Sequence, residues 1–164
     1  MHNPPSTSPP SEEAIQKIAL QALQQHEGQA GSLLPILHVI QDALGFIPPT
    51  AVPTLANGLQ LSRAEVHGVI SFYTHFREAP ASRVVLEVCR AESCQAMGGE
   101  QLAEHAKGVL GCDFHGTAKN GQVTLEPVYC LGLCAQSPAV TIDGQPHARM
   151  TPAKLDQLLS AKGV

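Results

Sequence analysis

In roughly the first eighty residues, hydrophobic side chains recur every three or four positions, which is the spacing of an amphipathic helix. A first helix is predicted to begin after Ser11, whose hydroxyl can cap the first turn, and to end before Gly28. A second helix is predicted to follow Ser32 and to end at Gly45, and its first turn tolerates Pro35 because the missing N–H has no partner there. The apolar positions of these two helices are Ile15, Ile18, Ala19 and Ala22, then Leu33, Leu37, Ile40 and Leu44.

Two further helices are predicted before residue 80. The Pro48-Pro49 pair is typical of a helix start, and Ser62 and Glu65 have the spacing of a capping box. The apolar positions of these helices are Val52, Leu55, Ala56 and Leu59, then Val66, Val69, Ile70 and Tyr73. The pattern therefore predicts a helical bundle domain over residues 12–79.

The periodicity changes after the turn-like segment Glu78-Ala79-Pro80. Residues 83–88 are rich in β-branched side chains and predict a strand that runs directly into Cys89. The later segments predict, in order, a helix over 99–107, strands over 123–127 and 139–143, a turn at Asp143-Gly144, and a helix over 151–159. Strands and helices mixed in this order predict an α+β fold, in which residues 80–164 form a small open sheet covered by helices.

Composition and charge limit the classes of function. The chain has 164 residues, of which 43% are hydrophobic and 15% charged, as in a globular protein. The net charge of −4 and the lack of a basic run argue against a nucleic-acid or anionic-membrane partner. The Pro- and Ser-rich residues 1–11 predict a flexible tail, with no targeting signal, and no apolar stretch is long enough to span a bilayer. We therefore expect a cytoplasmic protein without membrane contact.

Four of the five cysteines fall into two pairs with the pattern C-x4-C-x35-C-x3-C. Cys89 and Cys94 form the first pair, Cys130 and Cys134 form the second, and each pair occupies a short loop next to a predicted strand. In a reducing compartment, paired thiols of this kind are typical of a soft metal centre or a catalytic site, not of a disulfide framework. Four thiolates suit either tetrahedral zinc or an iron–sulfur cluster.

The spacing favours a cluster over zinc. Structural zinc sites usually contain tight C-x2-C pairs, and both intervals here are wider. The plant-type ferredoxin run is absent because Met97 stands where a third cysteine would be, and neither loop contains the histidines of a Rieske centre. Gly98, Gly99 and Gly132 would let backbone N–H groups approach the sulfur atoms. Cys112 stands outside both pairs, and we expect it to pack in the core.

These features resemble the thioredoxin-like [2Fe–2S] subunits of NADH-linked redox complexes, the family of the 24 kDa subunit of respiratory NADH dehydrogenase. The resemblance covers nearly the whole chain and includes the helical half, the segment His67-Gly68-Val69-Ile70-Ser71-Phe72-Tyr73 and the cysteine pattern. It implies a thioredoxin-like domain over residues 80–164 that binds one [2Fe–2S] cluster. The cofactor and metal ligands that it implies are Cys89, Cys94, Cys130 and Cys134.

Within this family, three segments look most like the gamma subunit of soluble, molybdenum-containing, NAD-dependent formate dehydrogenases. These segments are residues 89–94, 113–116 and 123–134. The respiratory subunit and the diaphorase subunit of NAD-reducing hydrogenases share the cysteine frame and remain alternatives. The resemblance implies two partners, a flavin- and iron–sulfur-containing NAD-binding subunit and a larger molybdenum-containing catalytic subunit. It also implies an electron-transfer subunit with no turnover of its own, and the sequence contains no G-x-G-x-x-G or P-loop motif for binding a nucleotide.

The remaining polar and aromatic residues are interpreted as structural, and none is predicted to be a catalytic acid, base or nucleophile. We expect structural roles for His67, His75 and His115, core or interface packing for Phe72, Tyr73 and Phe76, and solvated carboxylates at Glu87, Glu92 and Glu126. Two hypotheses from other classes stay open. A zinc-stapled binding module would be colourless and would unfold with chelators, and a thiol-based redox enzyme would work without metal.

Overall fold

The computed structural model describes residues 10–164. Most of the predicted tail over residues 1–11 therefore lies outside the described residues. The chain divides into two compact units between Pro80 and Ala81, and each unit has its own hydrophobic core. Within residues 10–164, none of the helices combines the length and the hydropathy that a bilayer crossing requires.

The first unit contains the four helices that the sequence predicts. They are α1 (Glu12–Gln25), α2 (Leu33–Leu44), α3 (Val52–Leu59) and α4 (Arg63–Phe72), with a 3-10 turn at Pro49–Ala51 before α3. Ser11 caps α1, because its Oγ accepts a hydrogen bond from the backbone N–H of Ala14 at 3.2 Å. Gly45 ends α2 with a φ of 82°, the left-handed conformation that glycine adopts without strain.

Ser62 and Glu65 form the predicted capping box at the start of α4. The Ser62 N–H donates to Glu65 Oε2 at 2.7 Å, and the Glu65 N–H donates to Ser62 Oγ at 3.2 Å. The bond from the Ser62 backbone lowers the pKa of Glu65, because it stabilises the charged carboxylate. Residues four positions apart or closer therefore determine where α4 begins.

The core of the helical unit includes a polar residue that the hydrophobic pattern does not predict. Gln41 of α2 is buried, with 5% of its surface exposed. Its side-chain amide donates to the carbonyl of His75 at 2.7 Å and accepts from the backbone N–H of Arg77 at 2.8 Å. These two bonds tie the segment after α4 to α2 and satisfy the buried amide.

The fourth helix is predicted to run through Tyr73, but it ends one residue earlier, at Phe72. Tyr73 follows the end of the helix in an extended conformation and is 42% exposed. Phe72 is 77% exposed, whereas Phe76 is buried as expected for a core residue. Leu37 and Ile40 are fully buried as predicted, Leu33 and Leu44 are only partly buried, and Ile36 is a further fully buried residue of α2.

The second unit is a five-stranded sheet with helices, which confirms the predicted α+β fold. The strands are β1 (Val84–Cys89), β2 (Gly116–Thr117), β3 (Val123–Val128), β4 (Val140–Ile142) and β5 (Gln145–His147), and the helices are α5 (Glu92–Cys94), α6 (Glu100–Leu110) and α7 (Pro152–Ala161). The strand order is β2-β3-β1-β4-β5. β1 and β3 are parallel, and the other neighbouring strands are antiparallel. The parallel pair requires a crossover connection, which contains α6.

Two edge strands, β2 and β5, are absent from the sequence prediction. β2 has two residues and β5 has three, so neither carries an alternating pattern of useful length. β5 also contains Pro146, which a sheet accepts at its edge. The predicted turn is present: Asp143 and Gly144 have φ values of 52° and 75°, as a two-residue hairpin loop requires.

Alternate residues of the central strands form the core of the second unit. Val84, Leu86 and Val88 of β1 are buried in one cluster with side chains of β3, α6 and α7. Side chains of a strand point alternately to opposite faces, so this cluster lies on one face of the sheet. The two cysteine loops lie outside this core, at the ends of the strands.

Candidate metal centre

The carboxyl ends of the two central strands place both cysteine pairs at one edge of the sheet. β1 ends at Cys89, β3 ends at Val128, and these two residues are register partners. Because the strands are parallel, the loops that follow them leave the sheet at the same edge. The first loop carries Cys94, and the second carries Cys130 and Cys134. The fold thus brings the two loops that carry the four cysteines to the same edge of the sheet.

The first loop holds its two thiols in a buried position. Cys89 and Cys94 are 2% and 3% exposed, and together with Ala139 they form a small cluster of their own. Burial raises the pKa of the Cys89 thiol, and so does the neighbouring thiol of Cys94. The backbone N–H of Leu131, which belongs to the second loop, acts on the same pKa in the opposite direction. The two loops therefore meet at Cys89.

A π-helical turn at Gln95–Gly99 connects Cys94 to α6. Gly98 has a φ of 91° inside this turn. A Cβ at Gly99 would stand 2.5 Å from the carbonyl oxygen of Cys94, so only glycine allows the backbone to pass there. From the sequence, the backbone at this glycine is expected to lie close to a cysteine sulfur. The backbone is indeed closely packed at Gly99, but against the carbonyl oxygen of Cys94 and not against its sulfur. Such π-turns are frequent at functional sites.

The second loop presents its two thiols to solvent. Cys130 and Cys134 are exposed, and their Sγ atoms lie 3.7 Å apart. Cys130 has a φ of 118°, a conformation that residues other than glycine rarely adopt. The N–H of Gly132 donates to Cys130 Sγ at 3.4 Å and lowers the pKa of that thiol, in the role predicted for this glycine. The hydrogen bond with Cys130 raises the pKa of Cys134.

Two serines link the loops, and sequence reasoning does not identify them. Ser93 Oγ donates to the carbonyl of Cys134 at 3.1 Å and lies 2.9 Å from Ser137 Oγ. Ser137 Oγ donates to the same carbonyl at 3.0 Å and lies 3.6 Å from Cys94 Sγ. Each serine is three residues or fewer from a cysteine, and that proximity is the signal that could have found them.

The separation of the Cys130 and Cys134 sulfur atoms fits two thiolates bound to one tetrahedral metal. Two sulfurs bound to one tetrahedral metal at about 2.3 Å lie about 3.8 Å apart, and the Cys130–Cys134 separation of 3.7 Å matches that edge. A structural zinc ion takes four ligands around a single centre. Within residues 10–164, no three His, Cys, Asp or Glu side chains are grouped closely enough for one metal ion. The separation within the Cys130–Cys134 pair is compatible with two thiolates on one tetrahedral metal, whether zinc or one iron of a cluster.

Arg90 anchors the start of the first loop to α6. Its guanidinium forms an ion pair with Glu100 at 2.6 Å and lies over the ring of Phe114 at 5.5 Å. Its carbonyl accepts a hydrogen bond from Gln95 Nε2 at 2.6 Å. These contacts hold the backbone between Cys89 and the π-turn in place.

Cys112 packs against the main core of the second unit, as the sequence predicts, and burial raises the pKa of its thiol. The expectation of a solvated Glu126 is wrong, because this carboxylate is 8% exposed. Glu126 Oε2 lies 2.7 Å from His115 Nδ1. Glu87, its register partner on β1, accepts a hydrogen bond from the hydroxyl of Thr141. Contacts between the neighbouring strands β3, β1 and β4 thus explain why Glu126 and Glu87 are not fully solvated. Glu92, by contrast, is exposed as expected.

Comparisons with known proteins agree with this arrangement. The sequence profile of the family described as thioredoxin-like [2Fe–2S] ferredoxin matches residues 19–162. A subunit of the NADH-quinone oxidoreductase of Pseudomonas aeruginosa is 30% identical over 85% of this chain and 84% of the relative. The HndA subunit of the NADP-reducing hydrogenase of Solidesulfovibrio fructosivorans is 28% identical over 86% of this chain and 81% of the relative.

A longer relative and a solved structure complete the comparison. A subunit of the Mycobacterium bovis NADH-quinone oxidoreductase is 29% identical over 96% of this chain, which spans 63% of that relative's length. A crystal structure of an NAD+-reducing [NiFe]-hydrogenase in the H2-reduced state superimposes with a TM-score of 0.64 at 24% identity, over 80% of this chain and 22% of the hydrogenase chain. At that identity the likeness shows the fold alone. By its profile and its relatives, this chain belongs to the thioredoxin-like [2Fe–2S] ferredoxin family, and its cofactor is one [2Fe–2S] cluster.

Proposed function

We propose that Cys89, Cys94, Cys130 and Cys134 hold the cluster and that the chain is a one-electron carrier. The observation that carries this proposal is the convergence of two loops, each with a pair of thiols, at the carboxyl ends of β1 and β3. When bound, a [2Fe–2S] cluster supplies reversible one-electron chemistry. The chain itself buries one thiol pair, exposes the other and supplies N–H donors to the sulfurs. The exposed pair marks the side on which a redox partner would approach.

We further propose that the chain is a subunit of a cytoplasmic, NAD-dependent formate dehydrogenase. The support is the resemblance of residues 89–94, 113–116 and 123–134 to the gamma subunits of those enzymes. The partners would be a flavin- and iron–sulfur-containing NAD-binding subunit and a molybdenum-containing catalytic subunit. The relatives named above are subunits of an NADH-quinone oxidoreductase and of an NADP-reducing hydrogenase, so those two kinds of complex are the alternatives.

The ligand assignment is tested by spectroscopy of the purified chain. We expect visible absorption bands that bleach with dithionite, about two irons and two sulfides per chain, and an EPR signal from the reduced protein. Cys94→Ser and Cys134→Ser should lower the iron content and alter or abolish the signal. Cys112→Ser is the matched control and should retain the full cluster, because Cys112 is partly buried against the core and lies outside both cysteine pairs. A colourless, zinc-containing or metal-free wild-type protein would contradict the proposal.

The parent complex is tested by purification of the tagged chain from its native cells. We expect co-purification of a flavin protein and a molybdenum protein, and NAD reduction driven by formate. NAD reduction driven by hydrogen, or NADH oxidation coupled to quinone, would instead identify one of the alternatives. Either result would leave the assignment of the four cysteines untouched.

A further inference from the structure

The hydroxyl of Ser137 lies between the two cysteine loops and within reach of three polar groups. The distances from Ser137 Oγ are 2.9 Å to Ser93 Oγ, 3.0 Å to the carbonyl oxygen of Cys134 and 3.6 Å to Cys94 Sγ. Cys94 is 3% exposed, so water has little access to its sulfur. Ser137 is therefore placed to provide the side-chain hydrogen bond to this buried thiol.

The direction of the bond between Cys94 and Ser137 depends on whether the sulfur carries a proton. In the metal-free chain the Cys94 S–H donates to Ser137 Oγ, and Ser137 donates to the carbonyl of Cys134. A sulfur bound to iron is a thiolate and can only accept. Two acceptors, the Cys134 carbonyl and the Cys94 sulfur, then compete for the single hydroxyl proton of Ser137.

Ser93 removes this competition. Its hydroxyl already donates to the carbonyl of Cys134 at 3.1 Å, so that carbonyl stays satisfied without Ser137. The negatively charged sulfur is the stronger acceptor, because a bond to an ionised group exceeds one between neutral groups. The two serines together can serve both acceptors, and neither can do so alone.

We propose that Ser137 is a positioning residue whose hydroxyl turns to the sulfur of Cys94 when the cluster is bound, while Ser93 holds the carbonyl of Cys134. The inference rests on the proposed ligand role of Cys94. A hydrogen bond to a cluster sulfur stabilises the more negative, reduced state more than the oxidised state, so it raises the reduction potential. The same bond ties the segment after Cys134 to the first loop.

The test is an EPR-monitored redox titration of the cluster-bound chain. Ser137→Ala should retain its iron, and its midpoint potential should be lower than that of the wild type. In electron–nuclear double resonance, the variant should also show one fewer exchangeable proton coupling, that is, one fewer coupling that disappears when the sample is transferred to D2O. Ser137→Thr keeps the hydroxyl and should restore both the potential and the coupling. Ser160→Ala, which changes an exposed serine in α7, is the control and should match the wild type.

Each outcome decides the proposal. A Ser137→Ala protein with the potential and the proton coupling of the wild type overturns it. If that variant assembles no cluster, the cluster-bound wild type and Ser137→Thr decide: an exchangeable proton coupling from the hydroxyl of residue 137 in both proteins supports the proposal, and the absence of such a coupling from both overturns it. Failure of the proposed function itself is distinguishable, since it would appear as a wild-type chain without a cluster.

Discussion

Cys130 combines a thiol that we propose as a cluster ligand with an unfavourable backbone conformation. Its φ of 118° lies in a region that glycine occupies readily and that other residues enter at a cost of about 1–3 kcal/mol. The Sγ atom of this strained residue lies 3.7 Å from the Sγ atom of Cys134. Backbone strain of this kind is found most often at functional sites.

The strain at Cys130 predicts an order among variants. Both Cys130→Gly and Cys130→Ala remove the thiol, but only glycine relieves the backbone, so the metal-free Cys130→Gly protein should be more stable than Cys130→Ala by at least about 1 kcal/mol. The measurement is the free energy of unfolding in urea. Cys134 is the matched position without a positive φ, and there the alanine variant should be the more stable one. Equal stability of the two Cys130 variants would show that the backbone is not strained.

At the scale of elements, the π-turn at Gln95–Gly99 positions Cys94 at the start of α6. Its geometry depends on the contact between Gly99 and the carbonyl oxygen of Cys94, where a Cβ would be only 2.5 Å away. Backbone atoms cannot retreat as a flexible side chain can. The turn and the buried thiol are therefore coupled.

This coupling predicts that Gly99→Ala displaces the first loop. The variant should bind less iron than the wild type after identical reconstitution, and it should be less stable in urea. Gly108→Ala is the control, because a Cβ at that position of α6 meets nothing within 4 Å. Replacing this helical glycine should stabilise the protein by up to about 1 kcal/mol and leave the iron content unchanged. Full iron occupancy in Gly99→Ala would show that the turn tolerates a side chain.

The capping box of α4 predicts a dependence of stability on pH. The Ser62 N–H holds the pKa of Glu65 below its ordinary value in the folded chain, so the carboxylate stabilises the folded state above the unfolded pKa of about 4.3. That contribution is lost as the pH falls through the folded pKa. Glu65→Gln should therefore unfold more easily than the wild type at neutral pH, and the difference should shrink below about pH 4. A difference in urea midpoint that is independent of pH would contradict this linkage.

At the scale of the whole molecule, the cysteine loops are less well packed than the cores of the two units. The helical unit has a core of thirteen buried hydrophobic residues, whereas the cysteine loops of the second unit share a cluster of only three, Cys89, Cys94 and Ala139. A small buried cluster stabilises a loop weakly. With the proposed ligands, the free energy of binding iron would add to the stability of these loops.

Removal of the cluster should therefore loosen one region of the molecule. We expect hydrogen exchange to speed up in residues 89–99 and 128–138 after chelation of the iron, while α1 to α4 keep their protection. The measurement is hydrogen exchange with mass spectrometry on the cluster-bound and metal-free chain. Faster exchange throughout the helical unit would show that its stability also depends on the cluster.

Local signals in the sequence identify the elements well. Ser11, Gly45 and the Ser62–Glu65 box determine helix ends through bonds between residues at most four positions apart. Asp143 and Gly144 determine a turn through their own backbone preferences. Pairing of the cysteines in two short loops also indicates a soft metal centre without a structure, because thiolate chemistry and spacing are properties of the sequence.

By itself, the sequence determined the helices and the central strands, and it singled out the four cysteines proposed as ligands. Only the tertiary structure decided which contacts form across the sheet and between the loops. Ser93 and Ser137 reach their partners over 41 and 43 positions of sequence, and the burial of Glu126 depends on neighbouring strands. The short strand β2 exists because the longer β3 pairs with it, and β5 exists because it pairs with the equally short β4 across the turn. Such contacts depend on how distant segments pack, and no local pattern of residues encodes that packing.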